Sequence, residues 1–196
     1  LSGGSSDDNS SRLVNLSVRN FAGTGNRTLI AGFVVQGTDP KSVLIRGLGP
    51  TLADLGVQGA MANPKLSLFS GTELIAENTH WGDFDSGAIS SAGGTVGAYP
   101  IAAGSDDAAL LSSLNTGIYT AHITPADANP GTALLELYDV DGSAATRLVN
   151  VSSLARVESQ ARPLILGFVV AGNATSRLLI RAVAPSIPGM DANVLL

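Results

Sequence analysis

Leu29-Ile30-Ala31-Gly32-Phe33-Val34-Val35 is an apolar run bounded by turn-forming residues, and Leu164-Ile165-Leu166-Gly167-Phe168-Val169-Val170 reproduces it 135 residues downstream. At the same offset, without a gap, Arg12-Leu13-Val14-Asn15 returns as Arg147-Leu148-Val149-Asn150, Leu44-Ile45-Arg46 as Leu179-Ile180-Arg181, and Pro50 as Pro185. Roughly a third of the overlapping positions are identical, which marks an internal repeat. The second copy stops at Leu196, before any counterpart of the segment around residues 66–77. The chain therefore reads as a polar tail (1–11), a complete repeat (12–146) and a partial second repeat (147–196) carrying its first three strands.

The local pattern is that of strands. Residues 13–18, 28–35 and 42–48 are rich in Val, Ile and Leu, with turn residues at 23–26 and 37–40. Apolar runs this short do not exclude helix by periodicity, but the flanking glycines and β-branched content favour strand. Residues 65–69 and 73–77 alternate around Ser70-Gly71-Thr72, a hairpin signal. Residues 118–124 and 132–140 alternate as well. Residues 79–104 read as a glycine-rich loop, and 108–114 suits either a strand or a helix capped by Ser105-Asp106-Asp107. Seven or eight short strands at regular spacing predict an all-β fold, an antiparallel β-sandwich of jelly-roll or Ig-like type, followed by the first strands of a second copy.

Composition narrows the function classes. Hydrophobic residues make up 44% of the 196 positions but charged residues only 14%, well below the usual quarter. The exposed faces must then be Ser, Thr, Asn, Gly and Ala, a surface common on secreted β-modules. The net charge of −5 and the lack of a basic patch argue against nucleic acid. There is no cysteine, which removes disulfides and thiolate chemistry. The apolar runs at 29–35 and 164–170 are far short of the ~20 residues that span a bilayer. The chain opens at Leu1 without an initiator Met or a visible signal peptide, which reads as a processed or truncated N-terminus and leaves export open.

A resemblance accompanies these readings. Gly97-Ala98-Tyr99, the run from Ala103 to Leu110, Gly117-Ile118-Tyr119-Thr120-Ala121 and Leu135-Glu136-Leu137-Tyr138-Asp139, together with the twice-used Arg-Leu-Val-Asn and Leu-Ile-Arg…Pro segments, resemble a tandem β-sandwich repeat of large secreted bacterial proteins. The likeness spans nearly all of residues 12–196. It implies an extracellular repeat module and carries over no catalytic residue.

Motifs of catalysis are missing from the sequence: no Gly-x-Ser-x-Gly, no Walker-type Gly-Lys-Ser/Thr, no His-Glu-x-x-His. Polar and aromatic groups gather in one loop, where Trp81 with Asp83 and Asp85 could stack and hold a sugar or ligate Ca²⁺; the competing reading is a loop pinned by a buried Trp. Asp139-Val140-Asp141-Gly142 begins like a calcium loop but lacks the downstream Glu. Glu73, Glu77, Asp83 and Asp85 make a poor glycosidase pair, with nothing to raise one pKa. Arg46 and Arg181 share a slot after an apolar strand, suited to clamping a carboxylate or the following turn, or to touching a neighbouring module. Asn26 and Asn173 are the turn-located members of five Asn-x-Ser/Thr matches and the candidate glycosylation positions.

The expectation is a non-enzymatic extracellular structural module without cofactor or metal, whose partners are copies of itself, self-associating head to tail into a filament or surface array. The alternative is a carbohydrate-binding or adhesive module using the Trp81 loop.

Overall fold

The computed structural model describes residues 11–143, 145–157 and 162–183. Ten strands run in chain order: β1 (Arg12–Ala22), β2 (Leu29–Gly37), β3 (Lys41–Leu48), β4 (Pro64–Ser70), β5 (Glu73–Asn78), β6 (Ala108–Leu114), β7 (Gly117–Pro125), β8 (Gly131–Asp139), β9 (Thr146–Leu154) and β10 (Ile165–Ala171). Helix α1 (Pro50–Asp54) follows β3, and α2 (Ser86–Thr95) lies between β5 and β6. The strands form one antiparallel sheet in the order β5-β4-β7-β2-β9-β1-β8-β3-β6, with β10 added to β1. The sheet is nearly closed into a barrel. The expected all-β class holds; the strands follow one path rather than the two sheets of a sandwich. At the seam between the path's ends, the Asn78 side chain on β5 accepts from the Ala109 amide on β6 at 3.0 Å.

Alternation fills the barrel. Leu29, Ala31, Phe33 and Val35 are buried, while Ile30 and Val34 between them are only half-buried. Leu16 and Val18, Val43 and Ile45, Leu66 and Leu68, Ala121 and Ile123, and Leu135 and Leu137 complete the same core. In β3 both faces are covered, because Leu44 points outward into a second cluster with Trp81, Ile89, Ala92 and Ala109 under α2. A strand buried on both sides reads as a continuous apolar run.

Two local expectations change and one open alternative is resolved. The loop at 79–104 contains α2, whose first turn is capped by the Asp85 carboxylate accepting from the Ala88 amide at 3.0 Å. Residues 108–114 are strand, and the capping signal before them acts elsewhere: Asp107 accepts from the Gly49 amide at 2.7 Å and from the Thr51 amide, fixing the start of α1. Residues 177–183, expected as the third strand of the second copy, are not in a strand, and Leu179 and Ile180 are 86% and 70% exposed. Their counterpart β3 is held by β6 and β8, and residues 177–183 have no such neighbours among the described residues.

Candidate functional site

The second copy does not stand apart from the first. β9, the counterpart of β1, enters the barrel between β2 and β1, and β10, the counterpart of β2, lies along β1. The two pairings use one register. On β2, Ile30 faces Leu154, Val34 faces Asn150, Val35 faces Leu148 and Gln36 faces Arg147. On β1, Ile165 faces Arg19, Val169 faces Asn15, Val170 faces Leu13 and Ala171 faces Arg12. The repeat offset turns each pair into the other, and both ladders slip by a residue at equivalent points, beside Val14 and Val149. Leu13 also pairs with Leu148, its own counterpart. Antiparallel pairing of equivalent residues places a local twofold axis between them. The first strand of each repeat thus pairs with the second strand of the other, a reciprocal exchange of partners.

The repeated glycine follows from this exchange. A Cβ on Gly32 would stand 2.6 Å from the Ser152 hydroxyl oxygen, and one on Gly167 would stand 2.8 Å from that of Ser17. Ser17 and Ser152 are themselves equivalent at the repeat offset. Each glycine is where the incoming strand's serine crosses.

The other candidate residues lie away from this seam. Trp81 is 7% exposed, packed under α2, and its indole N–H donates to the Ala102 carbonyl at 3.1 Å. That burial covers most of the indole, and what remains open lines a cavity beside Arg46. Asp83 and Asp85 are exposed: Asp85 caps α2, and Asp83 Oδ2 is 3.6 Å from His80 Nδ1, whose other ring nitrogen lies 3.0 Å from Asp106 Oδ1. Among the described residues no three His, Asp or Glu side chains converge as metal ligands would. Asn26 sits exposed in a short 3-10 turn, and Asn173 is exposed just after β10.

Arg46 and Arg181 occupy different surroundings. Arg46 is 3% exposed; its Nε donates to Glu136 Oε2 at 2.8 Å, its Nη2 to the same oxygen, and its Nη1 to the Tyr99 carbonyl at 2.6 Å. Arg46 and Glu136 are direct cross-strand partners on β3 and β8. The Tyr138 hydroxyl donates to Glu136 Oε1 at 2.9 Å. Burial, and then the Glu136 charge, push the Tyr138 phenol well above its ordinary pKa. The guanidinium thus clamps a carboxylate and the α2–β6 connection, while the turn after β3 is held by Asp107. Arg181 is exposed. A cavity of about 230 Å³ lies beside Arg46, lined also by Trp81, Ile89, Tyr99, Pro100 and Ile101. The charged residue on its wall is already paired, and the remainder is mostly apolar.

Sequence reading missed two polar centres. Asp107 is one. The other is Lys41, fully buried, with its ammonium 2.8 Å from Asp139 Oδ1 and 2.6 Å from Asp141 Oδ1. Partial burial pushes the Asp141 carboxyl up, but the Lys41 ammonium and the amides of Ser42 and Ser143 outweigh it and hold the group below its usual pKa. In the calcium-loop-like stretch, the carboxylates therefore face a lysine. Burial also lowers the pKa of His122, tilted against Phe69 with ring centroids 4.6 Å apart.

No protein-family model, curated protein or solved structure matches this chain. Among the described residues no helix is long and apolar enough to cross a membrane.

Proposed function

We propose that this protein is a non-enzymatic structural module of an extracellular assembly, built from repeats that join by a reciprocal exchange of strand partners. One observation carries the reading: β9 on β2 and β10 on β1 repeat a single register about a local twofold axis. Strand exchange adds main-chain hydrogen bonds between repeats, a durable way to link modules mechanically. The low-charge surface and the absence of cysteine suit an exported module. Within one chain the twofold joins two repeats in a closed, isologous contact, and units paired in this way would extend into a filament or surface array by associating head to tail. The polar groups beside the cavity are engaged in holding β3, β8 and the α2–β6 connection together, which suits a scaffold better than a reaction centre.

Negative-stain electron microscopy of the native protein, on cells and after purification, tests this. Fibres or an ordered surface layer are expected. Isolated globular particles in both preparations would overturn it.

A further inference from the structure

We infer that the outer edges of β9 and β10 are a docking surface for the remaining strands of the second repeat, a β6–β7–β8-type meander on the same polypeptide. A β8-type strand would lie antiparallel along residues 150–154, and a β7-type strand along β10. The inference concerns how the repeat is completed and stands independently of the proposed function.

The repeat register specifies the occupant. β2 has β9 on one edge and β7 on the other, whereas β10 has β1 on one edge and no strand on the other among the described residues. From Asn15 to Ala22, β1 is paired with β8; the matching stretch of β9, from Asn150 onward, has no such neighbour among the described residues. The side chains agree. Ala31 and Phe33 are 0% and 2% exposed, and Phe33 stacks on Tyr119 of β7 with ring centroids 5.6 Å apart. Their counterparts Leu166 and Phe168 are 41% exposed and half-buried. Side chains of core type thus lie uncovered where a β7-type strand would stand.

Residues 177–183 point to the same segment. Their counterpart β3 is flanked by β6 and β8, and Arg46 in it is neutralised by Glu136 of β8. Arg181 holds that slot in the second copy and is exposed, so a β8-type strand would bring the carboxylate its counterpart has. The open edge of β9, the open edge of β10 and residues 177–183 are all satisfied by one continuous stretch, the counterpart of β6 to β8. A second copy of this chain is a poor donor. Its β7 already lies between β4 and β2, and its β8 between β1 and β3, so lending either would dismantle its own barrel.

The test compares the 196-residue chain with one extended after Leu196 by a duplicate of residues 62–143, since Leu196 stands at the place of Met61 at the repeat offset. Hydrogen exchange read by mass spectrometry should slow on the order of 100-fold at the outward amides of residues 150–154 and 165–171 in the extended chain. The amides of β3, β7 and β8 serve as the folded reference in both. Unchanged exchange at the two edges, with that reference protected, would overturn the inference. So would dimerisation of the unextended chain that protects the same amides, because the occupant would then be a second copy. Register is tested separately in the extended chain with Leu154→Cys and, in the duplicate, Leu134→Cys, the positions equivalent to the cross-strand pair Arg19 and Leu134. A disulfide between them is expected, and free thiols under oxidising conditions count against the docking.

Discussion

Lys41 is the residue on which the first repeat is most exposed to damage. Its ammonium is out of water, and its presence there is tolerable because two carboxylates meet it within hydrogen-bonding distance. Asp139 is equally buried and depends on that charge in return; Arg12 offers only a longer contact, 3.7 Å, to its other oxygen. The cluster ties the start of β3 to the end of β8 and the turn beyond it. Position 176, the counterpart of Lys41, is Ser, so the lysine cage lies outside the repeat pattern. Replacing Lys41 with Met keeps the volume and removes the charge, leaving a buried carboxylate uncompensated. The expected cost is about 3 to 5 kcal/mol, read from urea denaturation followed by Trp81 fluorescence. A loss below about 1 kcal/mol would mean that Arg12 neutralises Asp139 unaided. Nothing near Lys41 in sequence announces this. Its partners arrive from about a hundred residues away, and only the barrel makes them neighbours. Arg46 was conspicuous because the repeat marks its slot, whereas its partner Glu136 is nearly as distant in sequence as the partners of Lys41.

Among the elements, strands were legible wherever one face is buried and the other is not. The alternation in β7 and β8 is written in their side chains, whereas β2 reads as an unbroken apolar run whose alternate burial appears only in the structure. Helix α2 was not legible, because Ser86-Gly87-Ala88-Ile89-Ser90-Ser91-Ala92-Gly93-Gly94-Thr95 is built largely from weak helix formers. It stands on tertiary support, an Asp85 cap and the packing of Ile89 and Ala92 with Trp81 and Leu44. The candidate site divides in the same way. The repeat itself was visible, but its consequence, strand exchange about a twofold axis, needed the register. The two repeated glycines allow a test of that register. Gly32→Val puts a branched side chain against Ser152 within the central sheet and should cost about 1 to 3 kcal/mol of global stability. Gly167→Val makes the equivalent clash with Ser17, at the β10 edge. It should release the β10 amides to exchange while leaving the denaturation midpoint nearly unchanged. Equal loss of stability in the two variants would show that β10 is part of the cooperative barrel.

For the whole molecule, the strand partners of β1 are β8, β9 and β10, so each begins at Gly131 or later. The first strand of the fold cannot be placed until most of the chain is available, a topology of high contact order. A strand left waiting in this way can be received by its own chain or by a neighbour, and a reciprocal exchange is open to both routes. The twofold pair distinguishes them. Leu13 and Leu148 are antiparallel partners, whose Cα atoms lie about 4.5 to 5.5 Å apart in such a ladder, within disulfide reach. The chain has no other cysteine to compete. Leu13→Cys with Leu148→Cys should therefore oxidise to a single intramolecular disulfide, running as a compact monomer on a non-reducing gel. Closing a loop of that size should add about 4 to 5 kcal/mol against unfolding in the loop-entropy account. Pairing Leu13→Cys with Asn150→Cys, off the register, should give no such product. Covalent dimers from the matched pair would show that the strands are exchanged between chains, and the repeats would then join molecules rather than neighbours along one polypeptide.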